Sequence, residues 1–298
     1  MAEAVATLRE PLVQLQPPRS LWSDAWRRLR RNKAALLGLL IVLLLGAVAL
    51  FADRLAPYPY AEQHIDRVFQ PIGAPEYPLG TDQLGRDLLS RLIYGARISF
   101  GVALLAQAIV LALGLPIGLI AGAGSPALDN LLMRATDIIY AFPDLLFVII
   151  ILAVLGRNIL FVPIAIGLVN WPTMARLVRG QVLSLKQQDF IVAARALGVP
   201  GGRIMLRHLL PNTLTPIIVA VTLGIPQYIL LEAMLSFIGI GAPPPMPSWG
   251  AMINEGFDAI FSFPHMVALP GIAIALTMLS FTFLGDGLRD ALDPHAQS

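Results

Sequence analysis

Asp189-Phe-Ile-Val-Ala-Ala-Arg-Ala-Leu-Gly-Val-Pro-Gly-Gly-Arg-Ile-Met-Leu-Arg-His-Leu-Leu-Pro-Asn212 separates two long apolar runs, about Ile159 to Val178 and Thr213 to Phe237. Asp189 is placed to cap a helix. Phe190, Ala193, Ala194 and Leu197 then fall at i, i+3, i+4 and i+7, on one helical face. Gly198 follows where a helix end calls for a left-handed residue. Pro200 suits the first turn of a second helix, which reaches about Leu209 and is ended by Pro211. The spacing predicts helix, glycine break, helix. Ile191 and Val192 make the first helix apolar on more than one side, and so short a helix is not stable alone in water. It is therefore read as a docking element, buried between its own chain and a partner. A helix lying on the membrane surface with no partner is the competing reading.

The surroundings of this stretch are those of a membrane protein. Hydrophobic residues make up 56% of the chain and charged residues 13%, with a mean hydropathy of +0.72. Soluble domains carry roughly 25% charged residues. The apolar residues gather into runs of about 20, the length that crosses a bilayer as a helix. A formal net charge of +2 gives no basis for a nucleic-acid partner, and the absence of cysteine excludes disulfides and thiolate metal sites.

Read in order, residues 1–33 form a tail and interfacial anchor. Trp22 and Trp26 stand beside Arg27, Arg28, Arg30, Arg31 and Lys33, aromatic rings at headgroup level with cations on the inner side. Residues 34–51 are a first span, retained rather than cleaved as a leader. Residues 52–95 are an extracytoplasmic loop. In its second half Thr81 or Asp82 caps a short amphipathic surface helix, with Leu84, Leu88 and Leu92 recurring every four residues. A transmembrane core follows over 96–285. Its spans run about 98–121, 135–155, 159–178, 213–237 and 267–284, with a cytoplasmic segment at 179–212 and an extracytoplasmic loop at 239–266. Residues 286–298 are a tail. The fold class is all-α and polytopic, with six transmembrane helices. Six spans put both termini on the cytoplasmic side, and of the 21 basic residues about 15 then lie inside.

No Gly-x-x-x-x-Gly-Lys-Ser/Thr and no His-Glu-x-x-His occurs, and His64, His208, His265 and His295 have no metal-ligand spacing. Energy for any active transport must come from another protein. Ionisable residues inside a membrane are costly and default to functional candidates. Asp144, following Pro143, is placed either to line a path or to satisfy amides at a proline-broken turn. Glu232 faces the path or a partner subunit, and Gln107 is a weaker path residue. Asp137 pairs with Arg134 or caps its helix.

At this point a resemblance becomes specific. Ala193-Ala194, Gly198 four residues on, and Leu210-Pro211 resemble the EAA signature of permease subunits of ATP-binding-cassette importers, with Val192 where the signature has Glu. Pro78-Leu-Gly-Thr-Asp-Gln-Leu-Gly-Arg-Asp87, Leu235-Ser-Phe-Ile-Gly-Ile-Gly241, Pro247-Ser-Trp-Gly-Ala-Met252 and Gly285-Asp-Gly-Leu-Arg-Asp-Ala-Leu-Asp-Pro294 resemble the second permease of dipeptide/oligopeptide importers. The resemblance implies a type I importer permease fold in a bacterial or archaeal inner membrane. It implies a second homologous permease, two ATPase subunits that carry the ATP and Mg, and an extracytoplasmic peptide-binding protein. This chain would itself bind no cofactor and catalyse no reaction. It implies coupling to the ATPases through Asp189, Phe190, Ala193, Ala194, Leu197, Gly198 and Arg203, and alternating access as the mechanism. Nickel or glutathione as cargo is the nearest alternative. An ATP-independent channel or secondary transporter is the alternative of another class.

Overall fold

The computed structural model describes residues 21–156 and 158–292. The tail read at 1–20, Arg157 and the end of the chain from 293 lie outside them. Among the described residues the regular structure is helical, apart from two isolated bridges in the loop at 56–87. In order these are α1 (Leu21–Leu29), α2 (Lys33–Leu50), α3 (Ala52–Leu55), α4 (Leu88–Ala123), α5 (Pro126–Tyr140), α6 (Asp144–Leu155), α7 (Phe161–Leu185), α8 (Asp189–Ala196), α9 (Gly201–Ile204), α10 (Leu210–Phe237), α11 (Trp249–Phe257) and α12 (His265–Leu292).

Five helical stretches are long and apolar enough to cross a membrane: α2, α4, α7, α9 continued into α10, and α12. The sixth expected span is a bent pair. α5 and α6 meet at 85° across Ala141–Pro143. Pro143 disfavours helical backbone at the residue before it and has no N–H to continue the ladder. Its own backbone is extended, with ψ 124°. The 12 residues of α6 rise about 18 Å, short of the roughly 30 Å hydrocarbon core. The span expected at 135–155 is therefore two helices, counted as one crossing only if the pair is taken together.

Three boundaries also differ from the expectations. α4 has 36 residues, about 54 Å, and begins ten residues before the expected span. Its cap is Asp87, whose carboxylate accepts the Ser90 N–H at 2.8 Å, so there is no separate surface helix capped by Thr81 or Asp82. Asp82 instead accepts the Leu84 and Arg86 N–H groups at 2.9 and 3.0 Å, a local turn that keeps 82–86 out of the helix. Pro211 does not end the segment before span five. Met205–Leu209 forms a π-helical turn, in which the Leu210 N–H reaches back to the Met205 carbonyl, and helix continues through Pro211. The widened turn gives the proline ring room. α12 continues helical to Leu292, well into the expected tail.

Close approach of small residues holds the bundle. Gly114, Gly118 and Gly122 of α4 lie against Met174, Ala175, Val178 and Val182 of α7, and a Cβ on Gly118 would sit 2.5 Å from the Ala175 carbonyl oxygen. In lipid, where apolar surface gains little by leaving its solvent, such contact drives association. Gly38 of α2 meets α12 at Ser280 in the same way. The exposed surfaces of α2 and α12, with Leu40, Leu43, Leu44, Ile272 and Leu279, are apolar. The continuous core joins α4, α6, α7, α10, α11 and α12 around Phe100, Val110, Ile166, Ile229 and Trp249. A satellite cluster of Ala25, Leu29, Ala35 and Ala291 packs α1 onto the end of α12.

Candidate docking helix and polar face

α8 projects from a base fixed by ionic and polar ties. Arg179 of α7 grips Asp129 of α5 through Nε and Nη2, at 2.5 and 2.7 Å, and Lys186 Nζ donates to the Gly122 carbonyl at 2.9 Å. Arg176 pairs with Asp137 at 2.6 Å, which places Asp137 against α7 rather than with Arg134. The N-cap of α8 is Gln188. Asp189 is the first helical residue and makes no capping bond, contrary to the expected role. The other end fits the expectation closely. Gly198 has φ +75°, its N–H donates to the Arg195 carbonyl at 2.9 Å, and the Val199 N–H donates to the Ala194 carbonyl at 3.1 Å. These two bonds are a Schellman motif, which satisfies carbonyls otherwise orphaned at a helix end.

The expected apolar stripe divides. Ile191 and Ala194, three residues apart, turn inward and are buried. Phe190, Ala193 and Leu197 remain together on the outward side, with Val192 beside them, and Leu197 is 83% exposed. Arg203 on α9 is also exposed. Ala194 thus belongs to the seat of the helix and not to its free face. Reading all four apolar positions as one face missed this, because both the seat and the outer stripe of α8 are apolar.

The three intramembrane candidates have different surroundings. Glu232 is fully buried within the subunit. It accepts the Ser99 hydroxyl at 3.1 Å and the Ser236 hydroxyl at 2.6 Å, and Ser99 in turn accepts the Trp249 N–H at 3.3 Å. Placed so, it joins α4, α10 and α11, and faces neither an open path nor a free surface. Asp144 begins α6 at the bend, is exposed, and has no hydrogen-bond or ion-pair partner among the described residues. Tyr228 lies within range of its charge. Gln107 lines a cavity of about 160 Å³ between α4, α7 and α10, together with Thr173, Gln227 and Tyr228. This cavity shares Leu177, Ala220 and Leu223 with a larger one of about 560 Å³, which also meets Gln181 and Arg289. Exposed polar side chains at mid-span, Thr173 and Gln227, mark the α7–α10 surface as one that avoids lipid. Neither was singled out from the sequence, since uncharged polar residues in an apolar run carry little signal.

At one end of the bundle a buried charge cluster joins the loop at 56–87 to α11. Arg86 meets Asp82 at 2.6 Å and Glu255 at 2.7 Å, and Arg91 meets the same Glu255 oxygen at 2.6 Å. Asp82, Arg86 and Arg91 are almost fully buried. The indole N–H of Trp249 donates to the Leu92 carbonyl at 3.1 Å, and Gly95 leaves space for the ring. Two of the stretches that carry the resemblance, 78–87 and 247–252, are parts of this cap.

Comparison with known proteins identifies the family. The family described as "Binding-protein-dependent transport system inner membrane component" matches residues 114–298, and the "N-terminal TM domain of oligopeptide transport permease C" matches residues 20–71. The dipeptide transport system permease protein DppC of Alkalihalophilus pseudofirmus is 44% identical over 279 residues, 94% of this chain and 91% of its own length. The oligopeptide transport system permease protein OppC of Bacillus subtilis is 40% identical over 92% of this chain and 90% of its own. The glutathione transport system permease protein GsiD of Escherichia coli is 45% identical over 95% of this chain and 94% of its own. Among solved structures, an inward-facing MetNI methionine ABC transporter chain superposes with a TM-score of 0.56 at 19% identity, over 69% of this chain and 98% of that one. That likeness establishes a shared fold. The chain belongs to the family of binding-protein-dependent transport system inner membrane components and is a multi-pass permease subunit, a transport protein rather than a catalyst.

Proposed function

We propose that this chain is one of two permeases in an ATP-driven peptide importer. The observation that carries the coupling half of this reading is the exposed apolar stripe Phe190–Ala193–Leu197, on a helix held rigidly by its Schellman cap and its buried Ile191. An ATPase subunit seated on that stripe, with Asp189 and Arg203 at its edges, would cover surface that water disfavours. ATP and Mg belong to two such ATPases. The ties from the end of α7, at the root of α8, to α5 and α4 would convert ATPase closure into reorientation of the spans.

The cargo half rests on the relatives named for dipeptide and oligopeptide transport, aligned over nearly all of both chains. The equally similar glutathione permease supports a second cargo within the same chemistry, a short peptide with an unusual linkage. The α7–α10 polar face, with Gln107 and Asp144, would line the path against the second permease, and a peptide-binding protein would dock on the outer cap. Both termini would be cytoplasmic, with α8 and α9 on that side. In domain terms the extracytoplasmic parts become 56–87 and 239–264, and the coupling segment 186–204.

The test is reconstitution of both permeases, both ATPases and the binding protein in proteoliposomes, with labelled dipeptide, oligopeptide and glutathione as cargoes. ATP-dependent uptake of one of them supports the reading. Uptake that proceeds without the ATPase subunits would establish a channel or secondary transporter instead.

A further inference from the structure

We propose that the cavity between α4, α7 and α10 binds a main-chain amide of the peptide in transit, through the carboxamides of Gln107 and Gln227. This rests on the peptide-import reading and specifies a site within it. Gln107 is only 5% exposed and its Nε2 has no hydrogen-bond partner, yet it lines an open cavity of about 160 Å³. The Nε2 atom is itself covered, and a half-turn of the carboxamide brings its donor to the cavity; since a buried N–H without a partner is costly, a ligand that accepts from it favours that turn.

The seat of this side chain is built. Its Oε1 rests over Gly224 of α10, where an added Cβ would lie 2.5 Å from the oxygen. Glycine there lets the carboxamide lie flat against the helix. Gln227, one turn further along α10, is exposed at the same cavity, which Thr173 of α7 and Tyr228 also line. The polar residues lining the cavity thus carry carboxamides and hydroxyls, with no charged residue among them.

That chemistry selects a class of ligand. A carboxamide presents one donor and one acceptor edge, the complement of a peptide unit. It reads the backbone and not the side chain, and so accepts residues of many kinds. It is uncharged, so a ligand held by it pays no ion-pair penalty on leaving, as a transport site requires. Val110 and Met174 supply apolar walls beside these groups, and methionine adapts to differing shapes.

The experiment uses the complete transporter in proteoliposomes, one binding protein, and two cargoes: a peptide and its analogue with one backbone amide replaced by an ester. Since the same binding protein serves all variants, its own preference cancels when uptake ratios are compared. Wild type is expected to carry the amide cargo faster. Gln107→Leu, Gln227→Leu and Gly224→Ala are each expected to shrink the amide-to-ester ratio by about fivefold, the worth of one hydrogen bond. Gly224→Ala meets only the flexible end of Gln107 and Gln227 is exposed, so these two carry the test if Gln107→Leu fails to assemble. A wild-type ratio in both would overturn the site while leaving peptide import standing. Thermal destabilisation of Gln107→Leu with an unchanged ratio would assign Gln107 to trapped water and overturn it also. Wild type that carries no peptide at all would overturn the functional reading and this site together.

Discussion

Arg91 Nη2 and Glu255 Oε2 lie 2.6 Å apart although 164 positions separate them in sequence. The pair ties the N-terminal end of α4 to α11, and Arg86 donates to the same carboxylate oxygen. Because Arg91 is fully buried while Glu255 is about a fifth exposed, it is removing Glu255 that leaves charge away from water, the Arg91 guanidinium then having only Asp82 at 3.5 Å as an ionic partner. Glu255→Ala is expected to cost about 3–5 kcal/mol, as breaking other buried ion pairs does. Thermal unfolding in detergent checks this. A melting temperature equal to wild type would show that water reaches the cluster.

The two sides of α8 give opposite phenotypes. Leu197→Asp or Ala193→Arg places charge on the outward stripe and is expected to abolish ATP-coupled uptake with normal membrane insertion and yield. Ala194→Arg strikes the buried seat and is expected to lower yield as well. Gly198→Asp forces a side chain into φ +75°, at roughly 1–2 kcal/mol, and loosens the cap. Co-purification of the ATPase subunits, scored beside uptake, separates these outcomes. Full uptake in Leu197→Asp would remove the docking assignment.

Glu232 is expected to act in packing and not in cargo selection. Glu232→Gln keeps an oxygen for one serine and should leave cargo preference unchanged. Glu232→Leu leaves the Ser99 and Ser236 hydroxyls without their acceptor, at about 1–3 kcal/mol per unsatisfied group. Stability assays on both variants, with uptake of two different peptides, test the distinction. A change in cargo preference for Glu232→Gln would return this residue to the path.

One contact between α3 and α4 has a defined pH window. Arg97 donates to Asp53 at 2.9 Å and to the Ala49 carbonyl at 2.8 Å, fastening α3 and the end of α2 to α4. The Arg97 guanidinium, and after it the Tyr94 hydroxyl, hold the Asp53 carboxyl below its ordinary value. A depressed carboxylate contributes stability above its unfolded pKa of about 3.9 and loses it as pH falls through the folded value. The stability gap between wild type and Asp53→Asn should therefore stay constant from about pH 8 to 5 and close below about 4. Since the pair is exposed, high salt should shrink the gap at every pH. A gap that already closes near pH 6 would assign it to another group.

Much of the architecture is legible without coordinates because membranes impose a simple rule. Each crossing must be a long apolar helix, so α2, α4, α7, α10 and α12 announce themselves by length and hydropathy alone. The same rule misreads the third span, since a sum of hydropathy is blind to an 85° bend. Gly198 was also readable, because only a left-handed residue ends a helix in that way and glycine adopts it freely.

What the sequence by itself determined is the set of helices, their glycine and proline punctuation, and the family signature around Gly198. Tertiary structure alone decided which side each polar or apolar residue faces. Glu232 and Gln107 are both polar residues in apolar runs, yet one is sealed by serines and the other opens on a cavity. Ala193 and Ala194 are adjacent and identical, yet one is free and the other seated. Chain order carries helical phase but not the identity of the neighbour at that phase, and burial, charge pairing and access all depend on that neighbour.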